Sequence, residues 1–313
     1  MRTAIVTGGA GFIGSHLVAR LLSGGWKVTV LYNLSTGSRE NIPAGADFIL
    51  LDVSERSFIS RLDGLSCDAV FHLAAQSSGE VSFDDPAYDL NTNCMSTLLL
   101  LDWCLKKKVR RFLYTSSMSV YGDQEAQPVA ENAAPAPKSF YGAGKLASES
   151  YVNIYSRMGV DTTSLRLFNV YGPGQNMSNM RQGMVSIYMA YLLEKKELHV
   201  KGPPDRYRDI VYIDDVVDAY MLCIDRKETF GNTYNIGTGK KTTVGELVRL
   251  ELDAFGYDQK TYPVNYSGST PGDTLGIYAD IGSFSRDTGW KPKVSLEEGV
   301  RTMVRWAKEK VPA

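Results

Sequence analysis

The chain has 313 residues, 43% hydrophobic and 22% charged, which suits a globular protein with a sizeable core. Its 34 basic and 35 acidic residues leave a net charge of -1, so neither nucleic acid nor an anionic membrane is expected as a partner, and any bound anion must be held locally. Four dispersed cysteines (Cys67, Cys94, Cys104, Cys223) show no C-x-x-C pair and no zinc-ligand spacing, which predicts buried free thiols, a reducing compartment and no metal.

The first predicted strand, 3–7, meets glycines too soon to read as a signal peptide. No segment has about eighteen uninterrupted apolar residues, so a cytoplasmic protein without a membrane span is expected. Gly8-Gly9-Ala10-Gly11-Phe12-Ile13-Gly14 follows that strand and opens a predicted helix over 12–23. The spacing removes Cβ atoms where backbone must turn tightly and approach a pyrophosphate, and it aims a helix N-terminus at the phosphate. Strand before and helix after are the context that a dinucleotide loop requires.

Strands are predicted next at 27–32 and 47–51. The end of the second, where such folds often carry an acid for the adenosine ribose, reads Tyr32-Asn33-Leu34-Ser35-Thr36. Tyr32 is no carboxylate; Asn33, Ser35 and Thr36 are left to serve the ribose, and Arg39 could pair with a 2′-phosphate. NAD is the expected cofactor, with NADP open. A helix over 54–62, a strand over 68–73, a helix over 91–107 and a strand over 111–116 continue the alternation, which implies βαβ units and a parallel sheet covered on both faces.

A predicted helix over 139–158 carries Tyr141 and Lys145, four apart and so on one face. An ammonium beside a phenol favours phenolate and a bound nicotinamide cation adds to the effect, a combination that makes a base for a hydroxyl proton near neutral pH. Tyr191 and Lys195 match the same pattern but read as an amphipathic helix with a solvated lysine. Tyr141 differs in its company, because the strand ending in Tyr114-Thr115-Ser116-Ser117 brings hydroxyls to the sheet edge where α/β sites form. A strand at 165–168, a helix at 181–195, a strand at 207–213, a helix at 214–225, a strand at 233–236 and helices at 243–255 and 296–309 complete the chain. A dinucleotide-binding domain over 1–168, to which the chain returns around 207–236, and a lobe drawn mostly from 169–313 are expected to flank a cleft.

These motifs, with Leu51-Asp52-Val53, His72-Leu73-Ala74-Ala75, Ser116-Ser117-Met118-Ser119-Val120-Tyr121-Gly122 and Arg166-Leu167-Phe168-Asn169-Val170-Tyr171-Gly172, resemble the extended short-chain dehydrogenase/reductases. Within that group the sequence is similar to the NAD-dependent epimerase/dehydratase family and its UDP-glucose 4-epimerase branch. The resemblance runs nearly end to end, through Arg206-Tyr207-Arg208-Asp209 to Pro271-Gly272-Asp273. It implies a Rossmann-type doubly wound parallel sheet with a smaller C-terminal substrate-binding lobe.

It implies Ser117, Tyr141 and Lys145 as the catalytic set. Gly8, Gly11, Phe12, Ile13, Gly14, Asp52, Val53, Leu73, Ala74, Ala75 and Asn93 would lie on the cofactor side. Ser119, Asn169, Arg208, Asp273 and Ile277 would lie on the side of a nucleotide-diphosphate sugar. Thr270 stands where relatives commonly carry a diphosphate-binding arginine, so Arg208 is expected to carry more of that grip, with Lys201 or Arg206. Bulky Ile277 is expected to disfavour a 2-acetamido group.

Relatives that dehydrate or decarboxylate usually carry acidic residues just after the catalytic serine, where this chain has Met118 and Ser119. Epimerisation through a transient keto-sugar, C4 foremost, is therefore the leading expectation. Other nucleotide-sugar chemistry is the alternative, and a non-catalytic regulator the remote one. Residues 91–107 and 139–158, with Leu98, Leu101, Trp103 and Tyr151, are expected to pair two copies as a homodimer.

Overall fold

The computed structural model of the chain describes residues 1–269 and 272–310; Thr270 and Pro271 therefore lie outside the described residues. In chain order the strands are β1 (Thr3–Thr7), β2 (Lys27–Tyr32), β3 (Asp47–Leu50), β4 (Ala69–His72), β5 (Arg111–Ser117), β6 (Asp161–Leu167) and β7 (Asn169–Tyr171). They continue with β8 (Leu198–Lys201), β9 (Tyr207–Arg208), β10 (Ile210–Tyr212), β11 (Asn232–Ile236), β12 (Thr242–Thr243), β13 (Val264–Ser267) and β14 (Gly276–Ile277). The helices are α1 (Phe12–Ser23), α2 (Pro86–Leu90), α3 (Ser96–Lys107), α4 (Phe140–Arg157), α5 (Met184–Leu193), α6 (Ile213–Cys223), α7 (Val244–Phe255), α8 (Gly282–Thr288) and α9 (Leu296–Lys310).

Seven strands build one parallel sheet in the order β11-β6-β5-β4-β1-β2-β3. Its strands are short apolar runs because both faces are covered. On one face Leu17, Val18 and Leu21 of α1 join Val216 and Tyr220 of α6. On the other, Leu100, Leu101 and Trp103 of α3 and Val152 of α4 pack on Phe112 and Tyr114. The strand order reverses between β1 and β4, so the loops leaving those two strands diverge and open a crevice at their C-terminal ends.

Several elements depart from the sequence expectation. Residues Arg56–Leu62 form a 3-10 helix, not an α-helix. The helix expected over 91–107 starts with a π-turn at Asn91–Met95. Leu101 and Trp103, expected on its outer face, are core residues, because α3 turns that side onto the sheet. The strand expected over 207–213 splits at Asp209: β9 runs between β12 and β14, whereas β10 pairs with β7. The cause is the buried Asp209 carboxylate, which accepts from Thr238 N (2.7 Å), Thr238 Oγ1 (2.7 Å), Gly239 N (2.9 Å) and Ala279 N (3.1 Å). Those donors lie on two other segments, so the chain bends to meet them. The lobe core is formed by α5, α7 and α9, with α7 started by a reciprocal cap between Thr243 and Glu246.

Candidate active site

The crevice holds a cleft of about 360 Å³. Its floor is the glycine loop. Gly8 has φ +75°, and a Cβ there would stand 2.7 Å from Ala74 N; one on Gly14 would stand 2.2 Å from Gly8 O. No side chain caps α1 at Gly11, so its first amides stay free to meet an anion. Thr7 fixes the facing strand end: its Oγ1 accepts from Leu73 N (3.2 Å) and Ala74 N (3.1 Å) and donates to His72 Nδ1 (2.8 Å). The other ring nitrogen of His72 then donates to Thr97 Oγ1 at 3.0 Å, since that hydroxyl gives its own proton to Asn93 O. Burial, helped by the charge on Lys145, pushes His72 down to about 3, which keeps the ring neutral.

The reactive groups stand at the ends of β5 and α4. Ser139 caps α4 by accepting from Gly142 N at 3.1 Å, which places Tyr141 and Lys145 one turn apart on the buried face. Lys145 Nζ donates to Thr115 O at 2.8 Å and lies 5.8 Å from the centre of the Tyr141 ring. Burial lowers the lysine to about 7, against the pull of Asp89 and Glu149. Burial raises Tyr141 to about 12, with Ser117 pulling the other way and Asp89 adding to the rise. The ammonium alone thus does not bring the phenol near neutrality, and the expected base needs the nicotinamide cation as well. In the free protein desolvation outweighs the ammonium, and the phenol needs another positive charge beside it.

Behind this pair lies a buried network that the sequence reading missed apart from Asn93. Asp89 Oδ2 accepts from Gln76 Nε2 (2.8 Å) and Asn93 Nδ2 (3.0 Å). Asp89 Oδ1 and Asn93 Oδ1 are buried without a partner among the described residues. The bidentate pair of Arg166 with Glu149 anchors the middle of α4 to β6.

Gly8, Gly11, Phe12, Ile13, Gly14, Thr36, Leu73, Ala74, Ala75, Ser117, Ser119, Tyr141, Lys145, Asn169 and Arg208 all line the cleft. The buried Asn169 Oδ1 is a free acceptor. Arg208 donates to Tyr207 O (2.6 Å) and Thr274 O (3.0 Å), and both it and Arg206 pair with Asp273. Asn33 and Asp52 border a neighbouring hollow at the edge of β3. There Asn33 Nδ2 donates to Asp52 Oδ2 at 2.9 Å and Asn33 Oδ1 accepts from Ser35 N at 3.1 Å. Burial pushes Asp52 up, but hydrogen bonds from Asn33 and Ser54 bring it below the usual carboxylate range. Val53 packs in the core beside that hollow.

The structure moves two candidates away from the cleft. Lys201 alternates outward on β8 and pairs with Glu80 at 3.1 Å. Ile277 is 2% exposed and packed with Val120, Tyr121 and Phe168, so it fills core space and no sugar pocket. Arg39, between the cleft-lining Gly37 and Asn41, stays at the rim, exposed and over the Phe48 ring at 5.2 Å. Conversely, the loop amides Gln175, Asn176, Asn179 and Gln182 line the cleft without having been singled out. Their density after the Gly172-Pro173-Gly174 turn was the available signal.

A glycine cradle at the switch point, with serine, tyrosine and lysine converging beside it, defines a dinucleotide-dependent enzyme of the short-chain dehydrogenase/reductase class. The model of the NAD dependent epimerase/dehydratase family matches residues 4–237, and the chain belongs to that family. A putative UDP-glucose 4-epimerase of Methanocaldococcus jannaschii is 34% identical over 306 residues, 97% of this chain and 98% of that protein. The UDP-glucose 4-epimerase of Thermotoga maritima, solved with UDP-glucose, superposes with a TM-score of 0.93 at 36% identity, over 98% of this chain and 99% of its own. That of Thermus thermophilus, solved with NAD, gives 0.90 at 33% identity over 99% and 100%. The site fits the family's cofactor: Cβ-free backbone, free helix amides and a continuous cleft meet where a pyrophosphate must lie.

Proposed function

We propose that the protein is an NAD-dependent nucleotide-sugar epimerase, inverting C4 of a nucleotide-diphosphate hexose through a transient keto-sugar. One observation carries this reading: among the described residues, no carboxylate lines the cleft, whereas Ser117, Tyr141 and Lys145 all do. Elimination and decarboxylation call for further acid–base groups beside the serine, and Met118 and Ser119 occupy those places. Inversion needs only one group that takes a hydroxyl proton and gives it back.

Tyr141 is that group. Ser117 hydrogen-bonds the reacting oxygen, and Lys145 adds positive charge and grips the cofactor ribose. When bound, NAD supplies the hydride acceptor and donor, and no net oxidant is consumed. Arg208 holds the diphosphate, the geometry for which a guanidinium is suited. Arg206 shares the Asp273 carboxylate with it and supports that grip. Asn169 offers its free carbonyl to the sugar nucleotide. Residues 169–313, less the returning strand and helix, form the substrate lobe over a cofactor domain.

The protein works as a cytoplasmic homodimer in this reading. Exposed Leu90, Ile154 and Met158, with the partly exposed Leu98 and Tyr151, supply the apolar face between copies. Light scattering that returned a monomer mass at micromolar concentration would remove the dimer from it.

A substrate deuterated at C4 tests the chemistry. Intramolecular return of the label predicts an epimer that keeps all its deuterium in ordinary water. Loss of label to solvent contradicts the mechanism.

A further inference from the structure

The adenosine end of the cofactor cleft lacks its usual selector. In dinucleotide folds, an acid at the end of the second strand bonds the ribose hydroxyls and repels a 2′-phosphate, whereas an arginine nearby accommodates that phosphate. Here the position is Tyr32, which lines the cleft together with Thr36, Gly37 and Asn41. The corner is rigid. Tyr32 Oη accepts from Gly37 N at 2.9 Å and shares a hydrogen bond with Thr36 Oγ1 at 2.9 Å. A Cβ on Gly37 would stand 2.2 Å from Ala10 O, an oxygen that also accepts from Asn41 Nδ2 at 3.1 Å.

These bonds set the phenol beside the glycine loop, 3.6 Å from where a Cβ on Gly11 would stand, and among the described residues no carboxylate lines this cleft. Asp52, which is half-buried, borders the neighbouring hollow instead and is bound by Asn33 and Ser54. At the rim, Arg39 forms no ion pair among the described residues and rests on Phe48, which leaves its N–H edges free. Exposed hydroxyls of Ser35, Thr36 and Ser38 adjoin it.

We propose that Tyr32 makes this cleft tolerant of a 2′-phosphate, so that the chain binds NADP alongside NAD, with Arg39 as the phosphate's counter-charge. The inference rests on the cofactor reading above and concerns affinity, not turnover. The phenol bonds no diol as tightly as a carboxylate, and it carries no charge to repel phosphate. Among residues 32–41 Arg39 is the one cation, and a guanidinium suits bidentate contact with phosphate.

The test uses the purified full chain, exchanged to constant composition against an equimolar excess of NAD and NADP. The protein is then desalted and denatured, and the released dinucleotides are quantified by mass spectrometry. The expected bound ratio lies within about thirtyfold of unity for the wild type, falling at least tenfold further toward NAD in Tyr32→Asp. Arg39→Ala should lower the NADP share several-fold and leave total occupancy unchanged. A wild-type preference for NAD beyond about thirtyfold, or a Tyr32→Asp protein with the wild-type ratio, overturns the inference and leaves the epimerase reading intact. A chain that retains neither dinucleotide overturns both.

Discussion

Replacing Tyr141 by phenylalanine removes the proposed proton acceptor and leaves the ring in place. The structure sets the scale of what the hydroxyl must overcome. Burial holds it at about 12 in the free protein, so at pH 8 only about one part in 10⁴ is phenolate, a deficit of about 5 kcal/mol. The positive charge of the bound oxidised cofactor must offset most of that deficit, because Lys145, lowered to about 7, is largely neutral at pH 8. Titrating the phenol by ultraviolet difference absorbance, wild type minus Tyr141→Phe, should therefore show ionisation at distinctly lower pH in the holoenzyme than in protein stripped of cofactor. Turnover in Tyr141→Phe should fall at least about a hundredfold. Cofactor content and melting temperature should stay close to wild type, because the ring still fills its site. Tyr191→Phe serves as control, since Tyr191 packs edge-on to His199 on the lobe, 5.6 Å between ring centres. Near-normal turnover in Tyr141→Phe, equal losses in both variants, or an unchanged Tyr141 ionisation on cofactor binding would refute the reasoning.

Three other outcomes follow from named contacts. Arg208→Ala should weaken binding of a UDP-hexose by about 2 kcal/mol or more, read by titration calorimetry, with Arg208→Lys recovering part of the loss. Glu251, fully buried on α7 with neither oxygen partnered among the described residues, is pushed well above the ordinary carboxyl range by burial. A raised folded pKa gives stability that is present below the unfolded value near 4.5 and lost as pH rises toward the folded one. Glu251→Leu should therefore gain about 1–3 kcal/mol in urea unfolding at pH 7 and lose part of the pH slope above 4.5. His72 runs the opposite way, lowered from 6.5 to about 3. Its contribution is complete above about 6.5 and disappears as pH falls toward 3, at about 1.4 kcal/mol per unit; His72→Asn should flatten that acid limb, as measured by unfolding between pH 4 and 7.

Strands β1, β2, β4 and β5 were legible because strands buried on both faces read as unbroken apolar runs, and the glycine loop because its spacing encodes a backbone contact. Tyr141 and Lys145 were legible because helical periodicity fixes their proximity whatever the tertiary structure. Their protonation was not, since spacing gives the distance between charges and says nothing of the burial that opposes them. Asp89 and Gln76 escaped notice for a related reason: Asp89 and Asn93 stand only four apart, yet no local pattern tells a buried carboxylate from a solvated one. Residues 207–213 read as one strand, and the donors gathered around Asp209 explain why they divide between two sheets. Lys201 and Ile277 were placed by position in motifs that resemble relatives. Strand alternation turns the first outward to Glu80 and packs the second beneath Phe168.

The central claim is that this cleft inverts a sugar carbon without consuming cofactor. The most direct measurement is NMR and mass analysis of products from a panel of nucleotide sugars incubated with purified enzyme and no added cofactor. The account predicts an equilibrium mixture of a nucleotide hexose and its C4 epimer, of unchanged mass. A product lighter by water or carbon dioxide, or no conversion by protein that carries its dinucleotide, would contradict it.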